Sequence, residues 1–234
     1  MSIFLQVDSL VVANQMLADS EPVEQTLSIW KLLTSGGVGG QAIILVLFIL
    51  LFMALFLYFE RLMAINKASK IDVNFMNNIK MNIMSGKIDS AKMLCAQTNS
   101  PVARLIEKGI SRIGKPLEDI NTAIENAGNL ELYKLEKNTS MLATISGAGP
   151  MIGFLGTVLG MILAFHKMAS GGGQIEVGAL AEGIYTAMTT TVVGLIVGII
   201  AYIGYNHLVV KTNKVVNQME ANAVDFLDLL NEPV

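Results

Sequence analysis

Three stretches of this chain contain no Asp, Glu, Lys or Arg, and each runs 28 residues: Leu32–Phe59, Asn138–Phe165 and Gly183–Val210. A helix needs roughly 20 apolar residues to cross a hydrocarbon core about 30 Å thick, so each stretch is long enough to span a bilayer. The expected fold is an all-α membrane protein with transmembrane helices at 36–59, 138–165 and 183–210. Composition agrees: 53% of residues are hydrophobic and only 15% are charged, against about 25% charged in soluble domains. The three stretches differ in kind. The core of the first, Ala42–Phe59, is nearly pure Leu, Ile, Phe, Val and Ala, whereas the other two are full of Gly, Ser and Thr. The first therefore reads as a lipid-facing helix and the other two as helices that line something.

Basic residues give the orientation. The segment 60–137 and the tail 211–234 hold fourteen of the sixteen Lys and Arg residues, leaving Lys31 and Lys167 on the other side. Arg61, Lys67, Lys134, Lys137, Lys211 and Lys214 flank the spans closely. The positive-inside rule puts this side in the cytoplasm. The N-terminal segment 1–35 and the loop 166–182 then face outward. Met1–Gln25 lacks the basic start of a cleavable signal, so the first span is expected to act as an uncleaved insertion signal. Lone Cys95 offers no internal disulfide and no Cys-based metal site.

The soluble parts read as helical. Val23, Leu27, Trp30 and Leu33 suggest a short amphipathic helix on the outer surface, with Trp30 as an interfacial anchor. Gly86, Gly109 and Gly114–Lys115–Pro116 punctuate the region 60–137 into short helices. From Leu117 onward an apolar stripe continues through Ile120, Ile124, Ala127, Leu132 and Leu135, so the second spanning helix is expected to begin well below the membrane. Val215, Met219, Ala223, Phe226 and Leu230 extend the third span downward in the same way. The second and third helices would thus build a cytoplasmic bundle. No catalytic grouping, cofactor site or nucleic-acid patch is read in the chain, and no enzyme is expected.

In the second span, Gly149, Gly153, Gly156 and Gly160 recur three or four apart beside Pro150. Small residues let helix backbones approach in lipid, and Pro150 permits a kink. Simple helix packing accounts for the glycines. Thr157 differs, placing a hydroxyl on that smooth face. The third span carries Glu182, then Thr186, Thr189, Thr190 and Thr191, then Gly194 and Gly198. A lone intramembrane Thr usually bonds its own helix, but four within six residues cover more than half the circumference. A hydroxyl-lined surface suits a partner helix bearing an ionisable group, or a file of water. A mid-membrane carboxylate, the usual mark of a proton relay, is missing. The chain reads as half of an ion pathway, with Thr157, Thr186, Thr190, Thr191 and Glu182 as candidate lining residues.

The run Ser146 to Met161, with Pro150 followed by Gly153-Phe154-Leu155-Gly156-Thr157-Val158-Leu159-Gly160, resembles the second-span signature of the ExbB/TolQ family. The run Gly183 through Thr191 and Gly194-Leu195 to Tyr205-Asn206 resembles that family's third span, and Glu60-Arg61 fits the inner end of the first. ExbB is the most similar branch, and MotA-class stator proteins are more distant. The resemblance implies an inner-membrane proton channel subunit, homopentameric, enclosing single-span ExbD/TolR-like partners and working with a TonB- or TolA-like protein. The partner helix would supply the essential Asp. Thr157 and Thr191 match the family's pore threonines, while Thr186 stands where many members have a Glu, leaving Glu182 as a candidate substitute. A non-conducting scaffold around a partner helix, or a flagellar or gliding-type stator, are the alternative functions.

Overall fold

In the computed structural model, which describes residues 38–72, 74–170 and 177–231, seven α-helices are seen among the described residues. They are α1 (Val38–Ala68), α2 (Phe75–Met84), α3 (Ile88–Gln97), α4 (Pro101–Ile110), α5 (Leu117–Glu136), α6 (Thr139–Ser170) and α7 (Val177–Asn231). Three of them, α1, α6 and α7, are long and apolar enough to cross a membrane. The expected outer amphipathic helix with Trp30 lies outside the described residues.

Local chemistry sets the breaks. Gly86 and Gly114 adopt φ of +72° and +94°, a region open to glycine without steric cost, and each ends a helical segment as expected. Ser100 caps α4, its hydroxyl accepting from the Ala103 N–H at 3.2 Å, with Pro101 in the first turn, where its missing N–H leaves no bond unmade. Gly109 is not a break. It lies inside α4, where a Cβ would stand 2.9 Å from the Ile124 side chain and closer still to Phe226. Its smallness serves close packing.

The expected continuity between the cytoplasmic stripe and the second span also fails. The chain leaves the helix at Lys137, with ψ 132°, and passes through Asn138 at φ +63°. Asn tolerates this left-handed conformation better than most residues, so α5 and α6 are separate helices. The third span, by contrast, is one helix of 55 residues. At 1.5 Å per residue it is about 80 Å long, more than twice the hydrocarbon thickness, so it carries its apolar stripe far past the membrane. That C-terminal half organises the helices outside the spans: Val215, Met219 and Phe226 are buried on α7 and join one continuous core with Ile79, Ile106 and Ile124.

The spans pack as a triplet in which α6 and α7 form the most intimate pair and α1 lies across both. One side of α1, with Leu47, Ala54 and Leu57, is buried, and the other presents Phe48, Phe52 and Phe56 outward. The outward row is what a lipid-facing helix requires.

Candidate functional site: the seam between α6 and α7

Glycine dictates how closely α6 and α7 approach. A Cβ on Gly153 would stand 2.8 Å from the Thr190 carbonyl and 3.0 Å from Gly194 Cα. On Gly194 it would meet Gly149 O at 2.6 Å, on Gly160 the Ala187 Cβ at 2.6 Å, and on Gly198 the Pro150 ring at 2.7 Å. The contacts of Gly153 and Gly194 are with backbone, those of Gly160 and Gly198 with the short side chains of Ala187 and Pro150, and all of them are possible only where the glycine has no side chain. Pro150 removes the N–H that would have bonded the Ser146 carbonyl, and that carbonyl faces Gly198, 3.0 Å from where a Cβ would be. The proline and the glycine opposite it form one local device.

Into this seam α7 delivers its hydroxyls. Thr190 is only 1% exposed. It faces Gly156, whose Cβ would sit 2.8 Å from the Thr190 Cβ. Its Oγ1 donor is within reach of the Ala187 carbonyl at 2.7 Å and, across the seam, the Gly153 carbonyl at 3.1 Å. Thr191 Oγ1 reaches the same Gly153 carbonyl at 3.2 Å and is also bonded to Thr157 Oγ1. Thr157 reaches the Ala187 carbonyl at 3.3 Å. Three hydroxyls from two helices thus converge on two carbonyls.

Their exposure sorts them. Thr190 is sealed within the seam, whereas Thr157 and Thr191 are half-buried at its rim, side by side. In a hydroxyl pair one oxygen donates and the other accepts, and the acceptor's own proton goes to a carbonyl, leaving lone pairs on both oxygens. The rim can therefore accept hydrogen bonds from a protonated group brought to it. It can neither bind nor release a proton by itself, because its groups are hydroxyls and both spans lack Asp, Glu, Lys and Arg. Thr157 and Thr191 each lie eight residues from the end of their uncharged stretch that faces the connection 166–182, a depth of about 12 Å.

The other expected lining residues stand apart from this cluster. Thr186 is half-buried one turn further out, and Glu182 is exposed, in the second turn of α7. Thr189 bonds back to the Tyr185 carbonyl at 3.1 Å, the local satisfaction common for a helical Thr. Gly149, Gly153, Gly156, Gly194 and Gly198 are in the seam itself, while Gly160 marks its outer part against Ala187.

Sequence reasoning missed a polar chain that runs from the C-terminal part of α1 into α4 and α5. Arg61, buried, pairs with Glu60 and donates to the Lys134 carbonyl at 3.3 Å. Lys134 Nζ in turn holds Glu131 at 2.7 Å, and Arg104 holds its other oxygen at 2.5 Å. Glu131 is buried, which by itself raises its pKa, but the hydrogen bonds and charges of Arg104 and Lys134 outweigh this and hold the carboxyl below its ordinary range. The spacing of Glu131 and Lys134 was the available signal. Cys95 is buried, and burial, with Glu107 nearby, pushes its thiol up to about 12, so it stays protonated and unreactive.

Residues 97–221, more than half of the chain, match the MotA/TolQ/ExbB proton channel family. The chain belongs to this family. The matched region runs from the end of α3 through most of α7 and so contains the entire α6–α7 seam. Among relatives, the Tol-Pal system protein TolQ of Haemophilus influenzae is 33% identical over 132 residues, covering 56% of this chain and 51% of that protein. TolQ of Pseudomonas aeruginosa is 24% identical over 218 residues, covering 88% and 94%. The biopolymer transport protein ExbB of Xanthomonas campestris pv. campestris is 30% identical over 111 residues, covering 47% and 44%. The chain thus spans about half the length of two of these relatives and nearly all of the third. As a member of the ExbB/TolQ family with three helices able to span a membrane, it is a membrane protein of the transport class.

Proposed function

We propose that this chain is the channel and motor subunit of a bacterial inner-membrane complex, assembled as a homopentamer around ExbD/TolR-like single-span partners, with its N-terminus outside and C-terminus in the cytoplasm. Proton flow past the rim of the α6–α7 seam would move the partner, which acts on the outer membrane or envelope through a TonB- or TolA-like protein. The observation that carries this reading is the pair Thr157–Thr191: two half-buried hydroxyls with lone pairs to spare, in spans that bear no acid of their own. Such a rim is complementary to a carboxyl group supplied by another helix. The carboxyl would take the proton from one side and pass the hydroxyls while neutral, which avoids the cost of an ion at that depth.

A scaffold that only holds a partner helix is the second reading. What favours it is that all three seam hydroxyls already have partners within the subunit. Proton flux into liposomes separates the two. Co-reconstituted with a single-span partner carrying one membrane Asp, the complex is expected to conduct, and this chain alone is expected to stay near the empty-liposome baseline. Thr157→Val and Thr191→Val should each abolish flux at unchanged oligomer size, since one intramembrane hydrogen bond contributes only about 0.6 kcal/mol. Conduction by the complex that survives both substitutions would refute the channel role of the rim.

A further inference from the structure

At the inner end of the spans, α1 and α7 do not close on each other. Between them lies an apolar groove of about 320 Å³, within the roughly 300–1,000 Å³ of small-molecule sites. Three small residues make the hollow: Ala54 on α1, and Ala201 and Gly204 on α7. Phe59 and Ile203, 56% and 63% exposed, form its outer lips. Its inner end is polar, where the Tyr58 hydroxyl and His207 Nδ1 are hydrogen-bonded at 2.7 Å.

Below His207 the surface turns basic. His207, Lys211 and Lys214 are spaced by four and three residues, so they share one face of α7. Lys211 Nζ donates to Asn66 Oδ1 of α1 at 2.8 Å, which fixes the ammonium on the α1 side of the helix and leaves two of its three protons for other acceptors. Tyr58 occupies one nitrogen of His207 and leaves the second. The carboxylate next to the groove, Glu60, is already paired with Arg61. An apolar slot inside the hydrocarbon thus opens directly onto uncompensated positive charge at headgroup depth.

We propose that this groove binds one anionic glycerophospholipid of the surrounding leaflet. An acyl chain would lie along Ala54, Ala201 and Gly204, and the phosphate would rest against His207 and Lys211. The apolar slot would take a chain from any phospholipid, and the basic stripe supplies the preference for a negative headgroup. The leaflet follows from the orientation proposed above, but the site itself does not depend on conduction.

The full-length protein, reconstituted in vesicles of equal parts phosphatidylglycerol and phosphatidylcholine, would be released into detergent and weighed by native mass spectrometry. The wild type is expected to retain one phosphatidylglycerol per protomer in preference to phosphatidylcholine. Lys211→Ala with Lys214→Ala removes the basic stripe below the groove, with the loss of only the exposed bond to Asn66 besides, and should reduce that preference about tenfold or more. Gly204→Leu, which fills the hollow, should lose both lipids. The proposal is overturned if the wild type carries no lipid or carries the two in the vesicle ratio, or if the double variant keeps the wild-type preference. Disulfide formation between copies through Ile203→Cys would overturn it too, by giving the groove to a second copy of the chain. A complex that conducts no protons yet retains phosphatidylglycerol would sink the conduction reading and leave this one standing.

Discussion

Replacing Gly153 by Ala adds one methyl group where the seam has no room for it. The new Cβ would lie 2.8 Å from the Thr190 carbonyl oxygen, 3.0 Å from Gly194 Cα and 3.1 Å from Thr191 Cα. All three are backbone atoms, so no side chain can turn aside. Restoring an ordinary 3.4 Å contact requires α6 and α7 to part by about 0.6 Å at this point. The same movement stretches the Thr190 and Thr191 bonds to the Gly153 carbonyl, now 3.1 and 3.2 Å, beyond useful hydrogen-bond length. Overpacking costs about 1–3 kcal/mol and two lost intramembrane hydrogen bonds about 0.6 kcal/mol each, for a total of roughly 2–4 kcal/mol. Gly147→Ala is the matched control, because its Cβ would meet nothing within 4 Å. Thermal unfolding of the purified protein in detergent, followed by circular dichroism, should show a clearly lower midpoint for Gly153→Ala and none for Gly147→Ala. Equal midpoints would show that the helices do not meet in this register, and the hydroxyl cluster built on it would fall as well.

Three further outcomes are expected. Because Glu131 is held below its ordinary range by Arg104 and Lys134, its folded-state pKa lies under its unfolded value. Its contribution is therefore complete above the unfolded pKa and is lost as pH falls through the folded one, so acid unfolding of the wild type should be steeper than that of Glu131→Gln, read by circular dichroism between pH 6 and 2. Asn138 sits at φ +63°, where a β-branched residue is strained by roughly 1–2 kcal/mol; Asn138→Val should lower the unfolding midpoint and Asn138→Gly should not. Glu182, exposed on α7, should be replaceable by Gln without change in oligomer size, and a fall in proton flux at fixed outside pH would assign it to the outer port, while unchanged flux would remove it from the pathway.

The spans were legible because lipid imposes one strong rule on long uncharged segments, and the seam because glycines three and four apart describe a face without knowledge of its partner. The pairing of Thr157 with Thr191 was not derivable from residues alone. It depends on the register of two antiparallel helices, which is fixed by the fit of Gly198 against Pro150 and of Gly160 against Ala187. The same register separates Thr190 from Thr191: adjacent in sequence, one is sealed and the other sits at the rim. The helices outside the spans were read less well. An apolar stripe continues through Leu135 and across into α6 without regard to Asn138, so periodicity joined two helices that a single positive φ divides. Gly109 misled in the opposite direction, since a glycine that permits a turn and one that permits a close approach look identical in sequence.

The energetics of the seam bear on what can move. Sliding α6 against α7 by even part of a turn would drive the Pro150 ring into the residues flanking Gly198 and lift Thr190 off Gly156, where the present fit depends on missing side chains at each point of contact. Packed interfaces of this kind have discrete arrangements and resist gradual deformation. The lower half of α7 is further fixed by Phe226, buried against Gly109 and Ile124, and α1 is tied to α5 through Arg61 and the Lys134 carbonyl. Each link joins a spanning helix to the core formed by α2–α5, so a tilt of one span is carried into the rest of the subunit. Under the proposed channel function, motion driven by ion passage would then be cheapest as movement of a separate partner helix past a stiff wall, with the Thr157–Thr191 rim as the point where the wall would offer it hydrogen bonds.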